Sequence, residues 1–512
     1  MYIHNLSGRL SQIALAFQDR CAVAFPTGEK LTYRQLMQLA DGYGKIFKAR
    51  NLKPGQVVAI AGVKQSAVIA AILACLKQGM TYTIFDPNSP ENRLTSIFDV
   101  CRPVMIIAPQ SIFQSFSIPD TMFKVKTEEV RPADEPLPPV DFPATTPAYI
   151  MFTSGSTGVP KGAVITHANL GYFIDWTQSA FSITPEDVIG NVNPLYFDNA
   201  VFDVYGALFN GACLAAFPAD LTAQPARLVQ AFDEMGCTQW FSVPTLLIYL
   251  QTMKVLNRNS FKTVKRIIFG GEGYPKARLK HLYALFGERI DFYNVYGPTE
   301  CTCICSMYRI KEDDFKTLNG FPPLGSMIPH FGWAILDEHK LPVAVGEQGE
   351  LCLTGPCVGA GYYNDVHNTQ RHFITNPLNS AWPEPMYATG DLVSYNPEDG
   401  KIYIHGRIDN QVKHKGYRIE LEEIETALCR LEGVEQASVV HGAHRGLSRL
   451  VAVVSGAEQL NEKKLRQDLK KYLPDYMIPN EIHFMRRLPV NANGKVNRHQ
   501  IRALYFKQKD AS

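Results

Sequence analysis

The chain has no long hydrophobic run. Its most apolar stretch, 67–76, is too short to span a bilayer as a helix. The first ten residues lack a basic region leading into an apolar one, so no secretory signal is read and a cytoplasmic location is expected. Neither sign of charge is in excess. Against 51 Lys and Arg stand 49 Asp and Glu, and a net charge of +2 calls for no nucleic-acid or membrane partner. Like-charge blocks are absent too; the densest cluster, 463–471, mixes in Asp468 and reads as a solvated helix face. The 11 cysteines are scattered through a large chain, unlike the dense frameworks of small secreted domains, and are read as reduced thiols. Only Cys301, Cys303 and Cys305 cluster, and no second Cys or His pair stands at zinc-finger spacing. Alternation along one strand is the expected arrangement for them. There is no low-complexity tract and no internal repeat.

What is present is an ordinary globular composition, 46% apolar and 20% charged, over 512 residues. Apolar strand-like runs at 57–62 (VVAIAG), 81–85, 104–108 (VMIIA), 239–243, 266–269 (RIIF) and 291–295 alternate with amphipathic helical segments such as 65–78. That alternation predicts α/β architecture with parallel sheets and crossover helices, in two α/β halves. From about 321 the texture changes to short strands with Gly and Pro turns, at 333–336, 349–353 and 401–404, which predicts a small β-rich subdomain. Near 407–415 the chain turns polar. A smaller α+β unit follows, with helices at 420–431 and 461–473 and strands at 436–441 and 450–454.

The segment 152–162, FTSGSTGVPKG, lies between a strand at 148–152 and a predicted helix. Gly155 and Gly158 let the backbone approach an anion closely and turn its N–H groups inward. The hydroxyls of Thr153, Ser154, Ser156 and Thr157 suit phosphate oxygens, and Lys161 supplies a point charge. It is not a Walker A loop, because Gly162 rather than Ser or Thr follows the lysine.

This loop resembles the signature loop of adenylate-forming enzymes: acyl-CoA synthetases, luciferases and amino-acid adenylation domains. Further motifs of that superfamily follow in order: 31–36 (LTYRQL), 76–87 (LKQGMTYTIFDP), 294–300 (NVYGPTE), 387–391 (YATGD), 406–425 (GRIDNQVKHKGYRIELEEIE), 473–479 (LPDYMIP) and 493–498 (NGKVNR). The resemblance implies an adenylation core over 1–408, with two α/β subdomains and a β-barrel subdomain. A mobile C-terminal domain over 409–512 would turn about a hinge at Asp409 and bring the loop near Gly416 to the site for thiol transfer.

The resemblance also implies roles. Glu300 would bind Mg²⁺ and Thr299 would sit beside the α-phosphate. Asn294 and Tyr296 would face the adenine, with Gly271 on its other side. Asp391 would accept the ribose hydroxyls, and Arg407 would reach the ribose or phosphate. Lys495 would bridge the substrate carboxylate and the α-phosphate. Ile404 stands where related domains often carry an aromatic ring against the adenosine. The segment 193–208 (NPLYFDNAVFDVYGAL) resembles the substrate motif of amino-acid adenylation domains, in which Asp198 would bind the α-ammonium; capping of the following helix is the alternative for an Asp there.

By the same resemblance the pocket would be lined by Asn199, Phe202, Phe241, Ile268, Gly270, Val295, Cys303 and Ile304. The lining is mostly apolar, with Phe202 and Phe241 shortening it and Gly270 widening it. A small or branched aliphatic amino acid, isoleucine or valine first and alanine or proline next, is the expected substrate. No phosphopantetheine-site or condensation motif is found, so the expected acceptor is a separate phosphopantetheinylated carrier protein. The layout is also that of D-alanyl or L-prolyl carrier protein ligases. An acyl-CoA synthetase for an amine-free acid is the remaining alternative.

Overall fold

The computed structural model describes residues 6–114, 116, 118–119, 121–155, 158–329, 331–444, 447–457, 460–490 and 496–506. Contacts divide the chain into two compact units. The larger comprises Met1–Pro87, Cys101–Met151 and Ala163–Gly406; the smaller comprises Asn88–Val100, Phe152–Gly162 and Arg407–Ser512. Neither unit is one continuous stretch of chain.

Two sheets dominate the larger unit. In the first, the strands run in the order Phe123–Lys126, Met105–Ala108, Val57–Ala61, Thr81–Phe85, Pro147–Thr153 and Lys161–Thr166. The pairings among the first five are parallel. Val57–Ala61 and Thr81–Phe85 are buried at every position. Strands covered on both faces cannot alternate, which is why they read as continuous apolar runs. The helix Ser66–Gln78 closes on Gly79 at φ 73°. A side chain there would also collide with the Phe142 ring, 2.7 Å from the position of a Cβ.

The second sheet has nine strands, in the order Ser326–Met327, Ser306–Arg309, Asp291–Tyr296, Arg266–Gly270, Gln239–Ser242, Val188–Asn191, Cys213–Ala216, Cys21–Ala24 and Lys30–Thr32. Its centre is parallel and both edges are antiparallel. Parallel strands deliver their C-terminal ends to one edge of a sheet, where ligand sites of open α/β folds form. The expected β-rich subdomain is built on a five-stranded antiparallel sheet, in which Pro385–Asn396 pairs with Gly349–Thr354, Phe373–Thr375 and Lys401–Arg407.

The smaller unit holds the hairpin Gln411–His414/Tyr417–Glu420 and a three-stranded sheet of Val434–His444, Leu447–Gly456 and Glu481–Phe484. Lys415 and Gly416 both have positive φ, 53° and 86°, in a two-residue hairpin turn. That is the backbone a right-twisted hairpin requires. Helix Leu421–Cys429 packs Leu421, Ile424 and Leu428 against Val439, Leu450 and Ala452 of the sheet.

Two expectations are corrected. The phosphate-loop segment joins two strands, not a strand and a helix: Lys161 opens the strand Lys161–Thr166, and the helix His167–Ala180 starts only after it. The β-branched run Val164-Ile-Thr166 favours strand, and Thr166 with Asn169 forms a capping box that fixes the helix start. Nor do Cys301, Cys303 and Cys305 alternate on one strand. They lie in the tight turn before strand Ser306–Arg309, where Thr302 and Cys303 take φ of 57° and 74°. All three are buried, and among the described residues no group of three His, Cys, Asp or Glu side chains is arranged to hold a metal ion. Among the described residues, no helix is long and apolar enough to cross a membrane.

Candidate active site

Asp198 sits at the position before helix Asn199–Leu208, yet its side chain makes no capping hydrogen bond. Its carboxylate instead accepts a hydrogen bond from the Thr299 hydroxyl at 2.6 Å. The capping alternative therefore does not account for its orientation. Burial pushes the Cys303 thiol well above its ordinary pKa, and the negative charges of Asp198 and then Asp203 push it further. The turn carrying Cys303 and the helix carrying Asp198 thus face each other.

Of the residues expected to form the apolar lining, several pack on one another. Phe202 packs edge-on against Phe241 at 5.2 Å between ring centroids, and Phe181 packs edge-on against Phe202 at the same distance. Ile268, Val295, Cys303 and Ile304 are all buried in the same core, and Asn199 opens the helix. At Gly270 a Cβ would stand 2.5 Å from the Val295 carbonyl oxygen, so close approach of two strands requires glycine there. Gly271 follows at φ 86°, a left-handed conformation that glycine adopts without strain.

Glu300 is fully buried in the 3₁₀ turn Thr299–Cys301. Tyr362 donates its hydroxyl to Glu300 Oε1 at 2.6 Å, and the Gly359 N–H donates to the Glu300 carbonyl at 2.8 Å. Asp391, on strand Pro385–Asn396, accepts from the Tyr296 hydroxyl at 2.6 Å. Burial and then the Asp391 charge hold that phenol far above its ordinary pKa, so Tyr296 stays a donor. Asn294, buried on strand Asp291–Tyr296, donates its amide to the Pro323 carbonyl at 2.8 Å. Ile404 packs, partly buried, against the large apolar core.

In the smaller unit, the phosphate-loop residues meet the hairpin. The Ser154 hydroxyl donates to the Arg418 carbonyl at 2.8 Å and accepts from the Glu420 N–H at 3.1 Å. Lys161 lies 3.5 Å from Glu420 Oε1. The Thr153 hydroxyl points to the Lys161 carbonyl at 3.5 Å, and Gly158 turns at φ 80°. A backbone hydrogen bond from Gly155 reaches Glu423. Arg407 forks onto Asp409, with both nitrogen–oxygen distances 2.7 Å. Burial alone would raise the Asp409 carboxyl, but the Arg407 hydrogen bonds and charge hold it below its ordinary pKa. Ser156, Thr157 and Lys495 lie outside the described residues.

Sequence reasoning missed a polar network beneath the Asp198 segment. Asp203 Oδ2 accepts from the side-chain amides of Asn191 and Asn193, at 2.8 and 2.9 Å, and Asn193 also donates to the Phe241 carbonyl at 3.0 Å. The Lys64 ammonium donates to the carbonyls of Asn191 and Phe217, both at 2.8 Å. Burial pushes the Asp203 carboxyl up and the Lys64 ammonium down, while each charge favours the other. One signal was available: an acid inside the apolar helix 199–208 must be paired to be buried. Tyr362, which orients Glu300, carried no comparable signal.

Comparison with known proteins bears on this arrangement. The family described as AMP-binding enzyme matches residues 10–363, and the AMP-binding enzyme C-terminal domain matches 423–495. The chain is 30% identical over 510 residues to the L-proline--[L-prolyl-carrier protein] ligase of Streptomyces coelicolor, covering 94% of this chain and 93% of that one. It is 32% identical over 490 residues to bacitracin synthase 1 of Bacillus licheniformis, covering 95% of this chain but only 9% of that much longer one. The fold is similar to that of the Vibrio cholerae adenylation domain AlmE, solved in complex with glycyl-adenosine-5'-phosphate, with a TM-score of 0.85, 24% identity and 98% of each chain covered. Matched in both its parts, and nearly end to end with a relative of similar length, this chain belongs to the AMP-binding enzyme family of adenylate-forming ligases.

Proposed function

We propose that the chain activates a small or branched aliphatic amino acid, isoleucine or valine first, as aminoacyl-AMP and passes it to the phosphopantetheine thiol of a separate carrier protein. The observation that carries this reading is Asp198. Its carboxylate makes no capping bond to the helix it precedes and accepts the Thr299 hydroxyl at 2.6 Å. A carboxylate so held suits an α-ammonium, and the aromatic pair Phe202–Phe241 suits a short aliphatic side chain. Proline is a second reading, favoured by the likeness to a prolyl-carrier protein ligase.

In the first step a substrate carboxylate oxygen attacks the α-phosphorus of ATP. A P–O bond forms, the bond to the β-phosphate breaks, and pyrophosphate leaves. Both reactants are anions, so the catalytic burden is positioning and charge neutralisation. Lys161 and Lys495 are assigned that neutralisation, Thr299 the α-phosphate, Tyr296 and Asn294 the adenine with Gly271 across from them, and Asp391 and Arg407 the ribose side. Glu300 fits one place in a Mg²⁺ shell. It is a hard carboxylate held by Tyr362, and Mg²⁺ is commonly bound by one or two carboxylates together with substrate phosphates and water. When bound, Mg²⁺ would neutralise phosphate charge. In the second step the carrier thiol attacks the acyl carbonyl, a thioester forms and AMP leaves. Rotation of the 409–512 segment about Asp409 is assigned the change between steps.

The test is amino-acid-dependent ATP–pyrophosphate exchange across the standard amino acids, D-alanine and a few fatty and aryl acids. One aliphatic amino acid should drive exchange, and Asp198→Ala should abolish it. Exchange driven only by an amine-free acid would overturn the substrate class. Loading of coenzyme A in preference to a holo carrier protein would overturn the acceptor.

A further inference from the structure

Toward one edge of the nine-stranded sheet, two thiols meet. Cys21 opens the strand Cys21–Ala24 and Cys213 opens Cys213–Ala216. These strands pair in parallel, Val23 with Leu214 and Ala24 with Ala215. Between Cys21 and Val23 the pairing with strand Lys30–Thr32 shifts register. A bulge of this kind re-aims the side chain it carries. The two sulfurs lie 3.5 Å apart, and both residues are partly exposed. Most other cysteines of the chain are buried; Cys429 is the exposed one.

We propose that Cys21 and Cys213 are a peroxide-sensitive modification site that closes to a reversible intrachain disulfide. A disulfide requires an S–S distance of about 2.05 Å, so the sulfurs need to close by roughly 1.5 Å. The chemistry of the pair is asymmetric. The Cys213 thiol donates to the Cys21 sulfur. That hydrogen bond, with help from Lys30 and against the effect of burial, brings the Cys21 thiol down to about 7, while the same contact pushes Cys213 up. Cys21 is therefore the nucleophile and Cys213 the resolving thiol.

The steps balance. The Cys21 thiolate attacks one oxygen of a hydroperoxide; an S–O bond forms, the O–O bond breaks, and hydroxide leaves to take up a proton. The Cys213 sulfur then attacks the Cys21 sulfenic acid; the S–S bond forms, the S–O bond breaks, and water leaves with the Cys213 proton. Two thiols are oxidised by two electrons and one hydroperoxide is reduced. The bond would pin the end of the helix carrying Asn199 and Phe202, because the turn from that helix to Cys213 is already held by the Tyr33 hydroxyl on the Ala212 carbonyl at 2.7 Å.

The experiment treats the full-length native protein with hydrogen peroxide and follows it by intact mass and non-reducing peptide mapping. The expected result is loss of two hydrogen masses per chain, a linked peptide pair containing Cys21 and Cys213, and return to the starting mass with dithiothreitol. Cys21→Ser should block the linkage while leaving ATP–pyrophosphate exchange unchanged. Should Cys21→Ser fail to fold, maleimide labelling of the wild-type protein before and after peroxide gives the same answer, with both thiols lost to labelling together. Oxidation appearing first at Cys429, or Cys21 and Cys213 remaining open to labelling after other thiols have reacted, would overturn the proposal.

Discussion

Three carboxylates assigned to the site in the larger unit and four that tie the smaller unit together are held by different kinds of donor. In the larger unit, Asp198, Glu300 and Asp391 each accept a hydroxyl at 2.6 Å, from Thr299, Tyr362 and Tyr296. In the smaller unit, Glu423 is paired with Arg93, Glu425 with Arg498 and Asp409 with Arg407, while Glu420 lies against Lys161. A hydroxyl orients a carboxylate and satisfies one oxygen, but that contact brings no positive charge. A guanidinium orients it and cancels its charge. The first arrangement suits a group that keeps its negative charge for a ligand, whether a cation or a pair of hydroxyls. The second suits a group that ties elements of chain together.

The largest effect that sharpens this contrast is expected at Asp198. Asp198→Asn keeps an acceptor for Thr299 and removes only the charge. If the charge meets a buried ammonium, kcat/KM for the amino acid should fall by about 10²–10³-fold, the equivalent of roughly 3–4 kcal/mol for breaking a buried ion pair. A change under about threefold would mean that Asp198 acts through its hydrogen bond and the contrast fails there.

Arg498 comes next, on the other side of the comparison. Its guanidinium spans both oxygens of Glu425, at 2.7 and 2.6 Å, and reaches Glu422 at 3.2 Å. Arg498→Met should cost about 1–2 kcal/mol in chemical denaturation, less than a fully buried pair because the groups are partly solvated. Adding Glu425→Gln should recover part of the loss, since the stranded charge goes with it. Full additivity of the two changes would show that the pair is not an energetic unit. A smaller effect is expected from Tyr362→Phe, which removes a hydroxyl and leaves the Glu300 charge. Loss of one such hydrogen bond is worth about 1 kcal/mol, so the ATP-dependent rate should fall about fivefold, and Glu300→Gln should fall much further. Equal losses would assign Glu300 an orienting role only.

The sequence made the parallel strands legible because burial on both faces leaves an unmistakable apolar run, as at Val57–Ala61. Asp198 was legible for another reason: the segment 193–208 resembles the substrate motif of amino-acid adenylation domains. Both errors came from local pattern standing in for context. The loop 152–162 has the composition of a strand-to-helix turn, but the β-branched residues after Lys161 make a strand first. Cys301, Cys303 and Cys305 have the period of a strand, while the backbone there passes through left-handed residues that non-glycine sequence does not announce. The partners that orient the site, Tyr362 for Glu300 and Lys64 for Asp203, are 62 positions away in the first case and on another element in the second. No short-range pattern records such pairs.

The smallest effect concerns buried imidazoles, which test whether the smaller unit relies on charge alone. His167 in the larger unit accepts the Leu6 N–H at Nδ1 and packs edge-on to Phe142 at 4.7 Å. Burial holds its pKa down to about 3. In the smaller unit the Ser448 hydroxyl bridges two rings, His414 at 2.6 Å and His441 at 2.7 Å. Burial lowers these to about 3 and about 4, assisted by Lys415 and His441 at the first and by Arg502 at the second. Each ring is neutral when folded and takes a proton near pH 6.5 when unfolded. The unfolded state therefore binds more protons below that pH, and the stability present above it drains away as pH falls toward the folded pKa. Between pH 7.5 and 6.5 the loss is about 0.4 kcal/mol for each histidine. The opening free energy from hydrogen exchange, corrected for the slower intrinsic rate at lower pH, should fall across that range more at amides of strand Val434–His444 than at those of helix His167–Ala180, because two rings report there against one. No fall at Val434–His444 would mean that the shared hydroxyl holds a protonated ring and that charged partners in the smaller unit extend to its histidines.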